Sequence, residues 1–339
     1  MSQKKWVPTV PYCYLFEPHN YTYDLFTMVH HLQKAKQLYT DEGLLSVCRS
    51  GVRYLPIEIN NTIFRIRHGS GTKIMKEDWD NLIILDACRY DMFADQVDLS
   101  GTLESRVSLG SSSEEFLERN FMNSTNFDTV YVNSNPYVPK LGLDENTFHA
   151  VIDCLSEWDS SLETVHPDTV ADAARAAHKE YPEKRLIIHF MQPHTPFIGD
   201  AGKNMRGGVW DEKHDDGERG LWQPLEDGTI NTNIKKVWQA YRENLDVVLE
   251  VVEDLLEVFD GKSVVTSDHG NLVGERLSPV PTRPKFGHPY GVHVKELVKV
   301  PWFVVDGDDR RKVTTDPPTV LESVESETVE DRLTSLGYK

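Results

Sequence analysis

The chain has 339 residues, 39% hydrophobic and 10% aromatic, enough for a substantial buried core and too apolar for a disordered chain. Acidic residues outnumber basic ones to a net charge of −18 with no basic stripe to offset them, which excludes a general nucleic-acid binder. No apolar run reaches the roughly 18 residues of a membrane helix, and the four scattered cysteines (Cys13, Cys48, Cys88, Cys154) form no CxxC pair, so neither a zinc ribbon nor a disulfide scaffold is indicated.

The first stretch, MSQKKWVPTVPYCYLFEPHNY, sets prolines, aromatics and a glutamate where a secretory leader has an unbroken apolar segment, so a cytoplasmic location is expected. Residues 1–75 form an N-terminal, mainly helical extension. YDLFTMVHHLQKAKQLY has helical periodicity, and TDEGLLSVCRSGVRYLPIEINNTIFRIRHG predicts a helix followed by short extended segments. The extension is a surface for oligomerisation or a partner, and His30 and His31 within it are structural histidines among apolar neighbours.

From residue 80 the pattern alternates. Apolar runs at 82–85, 129–133 and 185–190, then KSVVTSDHG and VKVPWFVV, predict strands buried on both faces. Between them helices are predicted at 113–121, over HPDTVADAARAAHKEY with Pro167 near its start, and at roughly 233–259. Strand and helix in alternation predict an α/β, doubly wound, mostly parallel central sheet with helices on both faces, spanning residues 76–310. Residues 199–231, glycine-rich and charged, read as a long loop or lid, and 311–339 as an acidic tail with one terminal helix at 319–335.

Ligands gather at the carboxyl ends of such strands, and here those ends are chemically unusual. The first delivers Asp86, followed by Arg89 and Asp91; the third delivers His194 and Thr195; the fourth, SVVTSDHG, delivers Asp268 and His269. An isolated buried carboxylate is prohibitively unfavourable, so these acids must be paired, hydrogen-bonded or metal-bound. Taken singly, Asp268 and His269 read equally well as a helix cap with a surface histidine, and Asp86 as a partner of Arg89. Together they are the hard and borderline donors that a divalent cation takes.

ILDACRYD, GSSSEEF, HFMQPHTPF, SDHGNLVGE, GHPYG and VPWFVV, in that order over roughly residues 80–305, resemble the alkaline phosphatase superfamily. Within it they resemble the sulfatase-like branch that includes sulfatases and lipoteichoic-acid-synthase-type phosphotransferases. The resemblance implies a metal held by Asp86, Asp268, His269 and the nucleophilic serine, with Ala87 where sulfatases often carry a second aspartate. It puts that nucleophile at Ser112, with Ser113 second because the register is open by one. Serines just before a helix suit anion binding, and Ser112 with Glu115 also reads as a capping box.

Glu114 and Phe116 stand where the formylglycine motif of sulfatases has proline and arginine, which favours an unmodified serine attacking phosphorus. His194 and His288 match histidines that contact substrate oxygens, protonate a leaving group or bind a second metal, and Arg89 would pair with the anionic ester while Asp91 orients it. Asp211 and His214 have the wrong spacing for a second metal, so one ion per chain is expected: manganese, magnesium, calcium or zinc. Cys88 reads as a packing residue, and His189, Lys285 and His293 as second-tier contributors to the site or, ahead of that, as structural residues. The expected function is a metal-dependent hydrolase or transferase of phosphate mono- or diesters, on a small or glycan-linked substrate. The rivals are a sulfuric-ester hydrolase and an inactive descendant that binds anions or glycans.

Overall fold

The computed structural model describes residues 36, 40, 44–205, 220–230, 232–307, 309–319 and 326–336. The chain divides into two units, Met1–Gly51 and Val52–Lys339, and the second carries the sheet and the site. His30, His31, Cys13, Asp211 and His214 lie outside the described residues.

Seven strands form one sheet: β1 Asn81–Leu85, β2 Thr102–Val107, β3 Asn126–Asn133, β4 Phe148–Asp153, β5 Arg185–Phe190, β6 Ser263–Thr266 and β9 Lys299–Val305. Their order is β2-β9-β6-β1-β5-β3-β4. β9 runs antiparallel to both β2 and β6, and the other pairs are parallel. A separate hairpin pairs β7 Leu272–Glu275 with β8 Lys285–Gly287. The β1 run NLIIL is buried at every position, and its alternate side chains feed two different cores. Ile83 and Leu85 join Ile188 and Leu186 on one face, whereas Leu82 and Ile84 join Tyr131 and Ile187 on the other. Two-sided burial is why these strands lack the apolar/polar alternation of a half-exposed sheet.

The first face is covered by α5 Pro167–Glu180 and α8 Ile234–Val258. Val170, Ala171, Ala174 and Ala177 form the apolar stripe of α5, and Val237, Ala240, Tyr241, Leu245, Val248 and Val252 that of α8, each at helical spacing. The second face is covered by α3 Ser113–Phe121 through Phe116, Leu117 and Phe121, by α4 Tyr137–Lys140, and by α10 Ser326–Ser335 through Val329 and Leu333. The remaining helices are α1 Leu44–His68, α2 Tyr90–Gln96, α6 Asp200–Met205, α7 Trp222–Asp227 and α9 Lys295–Val298. Among the described residues no helix is long and apolar enough to cross a membrane.

Three stretches differ from the sequence expectation. The segments expected to be extended after the first helix continue it instead: α1 runs unbroken to His68 through Pro56. Proline removes a helical hydrogen bond, but burial of Ile57, Asn60 and Asn61 on the sheet-bearing unit outweighs that loss. The ends of the expected lid are helical, α6 and α7, because Met205, Leu221 and Leu225 pack into the first core; residues 206–219 lie outside the described set. The tail contributes to the interior, with α10 on the second face and Arg311 buried against Asp260 at 3.0 Å.

Candidate active site

Asp86 follows β1 directly, and the chain turns sharply at the next residue: Ala87 has φ +58°, the left-handed region that disfavours a side chain by about 1 kcal/mol or more. Three bonds hold the turn. The Ala87 N–H donates to Asp268 Oδ1 at 3.0 Å, the Cys88 N–H donates to Ser267 Oγ at 2.9 Å, and the Tyr241 hydroxyl donates to the Ala87 carbonyl. Ala87 thus ties the ends of β1 and β6 together. Cys88 is fully buried, and burial, with the Asp91 and Asp268 charges, pushes its thiol well above the ordinary value, which suits packing and not attack.

The three serines before α3 have three different jobs. Ser113 Oγ lies 3.1 Å from Asp86 Oδ2 and 3.2 Å from His269 Nε2. Ser112 is the helix N-cap, its Oγ accepting the Glu115 N–H at 3.4 Å. Ser111 donates through its N–H and hydroxyl to Glu115 Oε2 at 2.7 and 2.8 Å. The first choice of nucleophile, Ser112, therefore faces the backbone, and it is Ser113 that meets the strand-end acids. Gly110 allows this approach, since a Cβ there would sit 2.2 Å from the Phe116 nitrogen.

Glu115 anchors the whole entry to the helix. It is fully buried and also meets Arg119 at 2.6 Å, His293 at 3.1 Å and the Gly291 N–H at 3.2 Å. Burial alone would raise its carboxyl, but His293 and Arg119 outweigh that and hold it far below the usual carboxylate range. Asn61 of α1 completes the frame, donating to the Gly291 carbonyl at 2.8 Å and accepting from the His293 N–H at 2.7 Å.

Asp86, Asp268 and His269 each offer a donor atom within 4.8 Å of the others, and all three are buried. Their ion-pair partners among the described residues are histidines: His189 Nε2 lies 3.7 Å from Asp86 and 3.8 Å from Asp268, and His269 Nε2 lies 3.7 Å and 3.4 Å from the same two. Asp86 Oδ1, Asp268 Oδ2 and His189 Nε2 are buried without any hydrogen-bond partner. Buried polar atoms are almost always bonded, so three orphans around one point mark a place for a missing positive charge. Burial, followed by the Asp268 charge, raises the Asp86 carboxyl well above its ordinary value, while His269 and His189 outweigh burial and keep Asp268 low. Two buried carboxyl groups with imidazole nitrogens beside them, already desolvated, are a donor set that fits a divalent cation.

His288 and His194 lie beside this cluster, with ring centroids 4.6 Å between His269 and His288 and 5.0 Å between His194 and His288. Burial and then the neighbouring His269 lower His194 to about 4 and push His288 well down, so both rings are neutral at pH 7. Asn244 on α8 places the His194 segment by donating to the Pro193 and His194 carbonyls at 3.1 and 3.0 Å. Asn271 Oδ1 sits 3.0 Å from His288 Nδ1.

Arg89 is buried, bonded to both oxygens of Asp91, to Glu275 at 2.5 Å and to the Asn271 carbonyl at 3.0 Å, with Trp238 under it at 4.9 Å. Those contacts brace the turn before β7, and Asp91 is the partner of Arg89 that the sequence predicts. Lys285 pairs with Glu226 at 2.5 Å, away from the cluster. Sequence reasoning passed over Asn135, which donates to Asp86 Oδ2 at 2.7 Å, and Asn271, and it placed His189 in a second tier with a structural role ahead of a functional one. The signals were there: a polar NSN directly after the β3 run, and one histidine inside the apolar LIIHF of β5.

No protein-family model matches the sequence, and no curated protein matches it. Among solved structures, the chain is similar to the integral membrane lipooligosaccharide phosphoethanolamine transferase A of Neisseria meningitidis, at 10% identity and TM-score 0.43. That likeness covers 83% of this chain but only 59% of the transferase. The zinc complex of the C-terminal periplasmic domain of the Escherichia coli phosphoethanolamine transferase EptC is similar at 13% identity, over 70% of this chain and 76% of the other, with TM-score 0.43. A Vibrio parahaemolyticus protein of the alkaline phosphatase superfamily is similar at 9% identity, over 84% of this chain and 74% of the other, with TM-score 0.36. In the order of its motifs the chain resembles the sulfatase-like branch of the alkaline phosphatase superfamily.

Proposed function

We propose that the protein is a metal-dependent transferase or hydrolase of phosphate esters with Ser113 as its nucleophile. One observation carries this reading: Ser113 Oγ, at the start of α3, is 3.1 Å from Asp86 and 3.2 Å from His269, beside carboxylate oxygens that have no partner. A divalent cation bound by Asp86, Asp268 and His269 would lower the pKa of the serine hydroxyl and draw charge from a phosphoryl oxygen.

The chain's own residues supply the rest. The N-terminal turn of α3 directs backbone N–H groups and the positive end of the helix dipole toward an anion at Ser113. Ser113 Oγ, passing its proton to the Asp86 carboxylate that accepts its hydrogen bond, forms the bond to phosphorus as the bond to the leaving oxygen breaks, leaving a phosphoserine. The leaving oxygen takes up the proton that Ser113 gave up, and the neutral rings of His194 and His288, which share the site with His269, carry it across. Attack by water or an acceptor alcohol on the phosphoserine then returns the serine and releases phosphate or a new ester.

The test is turnover of p-nitrophenyl phosphate, bis-p-nitrophenyl phosphate and p-nitrophenyl sulfate by metal-stripped protein titrated with Mn²⁺, Mg²⁺, Ca²⁺ and Zn²⁺. The expected result is metal-dependent phosphate-ester turnover that falls at least ~10³-fold in Ser113→Ala and survives in Ser112→Ala. Full turnover in Ser113→Ala would remove it as nucleophile. Turnover of the sulfate ester alone would make the enzyme a sulfatase, and neither turnover nor metal binding would leave an anion-binding module.

A further inference from the structure

We propose that His189 is a further protein ligand of the cation, through Nε2, in addition to the strand-end acids and His269. The inference rests on the reading above that a cation sits between Asp86 and Asp268.

The register of the sheet puts His189 there. Ile84 of β1 pairs with His189 of β5 on one side and with Thr266 of β6 on the other. Asp86 and Asp268 each follow two residues later, so alternation brings all three side chains to the face that carries α3 and Ser113. His189 Nε2 then stands 3.7 Å from Asp86 Oδ2 and 3.8 Å from Asp268 Oδ2. Those separations are too long for hydrogen bonds, and Nε2 has no other partner although the ring is fully buried. They are close to the roughly 3.3–3.6 Å that separates two donors sharing one tetrahedral cation. His269 Nε2 keeps similar distances, 3.7 and 3.4 Å, to the same two carboxylates.

The other ring nitrogen fixes the orientation. His189 Nδ1 lies 2.8 Å from the Tyr131 hydroxyl, itself buried on β3. A neutral ring that donates from Nδ1 to this oxygen presents the Nε2 lone pair to the carboxylates, the arrangement by which an outer partner orients a metal-bound imidazole. A packing histidine inside an apolar strand would bond both nitrogens or be replaced by an aliphatic residue; here one nitrogen is bonded and the other is aimed at two anions.

The deciding experiment is X-ray absorption on the Zn²⁺-loaded full chain, with Zn²⁺ and Co²⁺ affinities measured by chelator competition for wild type, His189→Gln, His194→Gln, His288→Gln and Tyr131→Phe. The expected spectrum has two imidazoles per zinc in wild type, His194→Gln and His288→Gln, and one in His189→Gln. Affinity should fall at least ~100-fold in His189→Gln and about 10-fold in Tyr131→Phe. One imidazole in wild type, or two remaining in a folded His189→Gln, overturns the role of His189 while leaving the metal-dependent reading intact. Absence of any bound zinc in wild type overturns that reading itself. If His189→Gln does not fold, the wild-type count and the two other histidine variants still decide the assignment by elimination.

Discussion

The two ends of the central strands treat the same kind of residue in opposite ways. At the amino end, Asp78 and Asp80 precede β1 and Asp260 precedes β6, and fixed cations meet them: Arg310 at 2.8 Å and Lys262 at 3.1 Å from Asp78, Arg311 at 3.0 Å from Asp260. Asp80 binds Arg310 as well and accepts the Lys262 N–H at 2.7 Å. Bonds from Arg310 and Lys262 lower the Asp78 carboxyl to about 2. At the carboxyl end, the ion-pair partners of Asp86 and Asp268 among the described residues are histidines alone, and each acid keeps one buried oxygen without a hydrogen-bond partner. A sequence rich in acids pairs its charge with its own arginines and lysines where these strands begin, and with histidines where they end. If the carboxyl end takes up a cation as proposed, it costs stability in the metal-free protein, as strained functional sites do.

The strongest way to break this contrast is Asp268→Asn. Metal affinity should fall at least ~100-fold and phosphate-ester turnover with it, while thermal unfolding of the chelator-treated protein shows equal or greater stability than wild type, because one of two like charges is gone. A variant that binds metal normally, or that unfolds well below the metal-free wild type, would show that the carboxyl end is structural after all.

The next effect is a pH dependence. His194 is lowered to about 4 in the folded state, against an unfolded value near 6.5. The unfolded chain therefore binds a proton that the folded chain refuses, so this histidine's stabilisation is present above pH 6.5 and lost as pH falls toward 4. Across that window the loss is on the order of 3 kcal/mol. Denaturant unfolding of chelator-treated protein at successive pH values should show a shallower acid slope in His194→Gln, and unchanged slopes would refute the neutral, buried state of the ring.

At the amino end, Asp80→Asn should lower stability by about 2 kcal/mol, since its partner Arg310 keeps contact with solvent and with Asp78, and should leave metal affinity and KM unchanged. Any loss of metal there would join the two ends that the comparison separates. Smallest is Ser112→Ala, expected to lower stability by about 1 kcal/mol through the lost helix cap, with turnover largely retained.

The sequence by itself determined the sheet and the acids at its edge. Runs such as NLIIL and LIIHF, apolar at nearly every position, read as strands covered on both sides, and a carboxylate at the end of such a run has to be paired, hydrogen-bonded or metal-bound wherever the rest of the chain goes. Tertiary structure decided what no local pattern encodes. Helix periodicity placed the start of α3 within one residue, but only the packing of Gly110 on Phe116 and the grip of Glu115 on Ser111, Gly291 and His293 turn Ser113 toward Asp86 and leave Ser112 as the cap. His189 in β5 read as structural ahead of functional because a strand's register with its neighbours lies in pairings between residues about a hundred positions apart, which set Ile84 against it. Arg89 has its expected partner, Asp91, two residues away in sequence; Glu275 and Trp238, which also hold it, are brought from far along the chain. Local propensity fixes which residues reach the edge of the sheet, and long-range packing fixes where each side chain points once it is there.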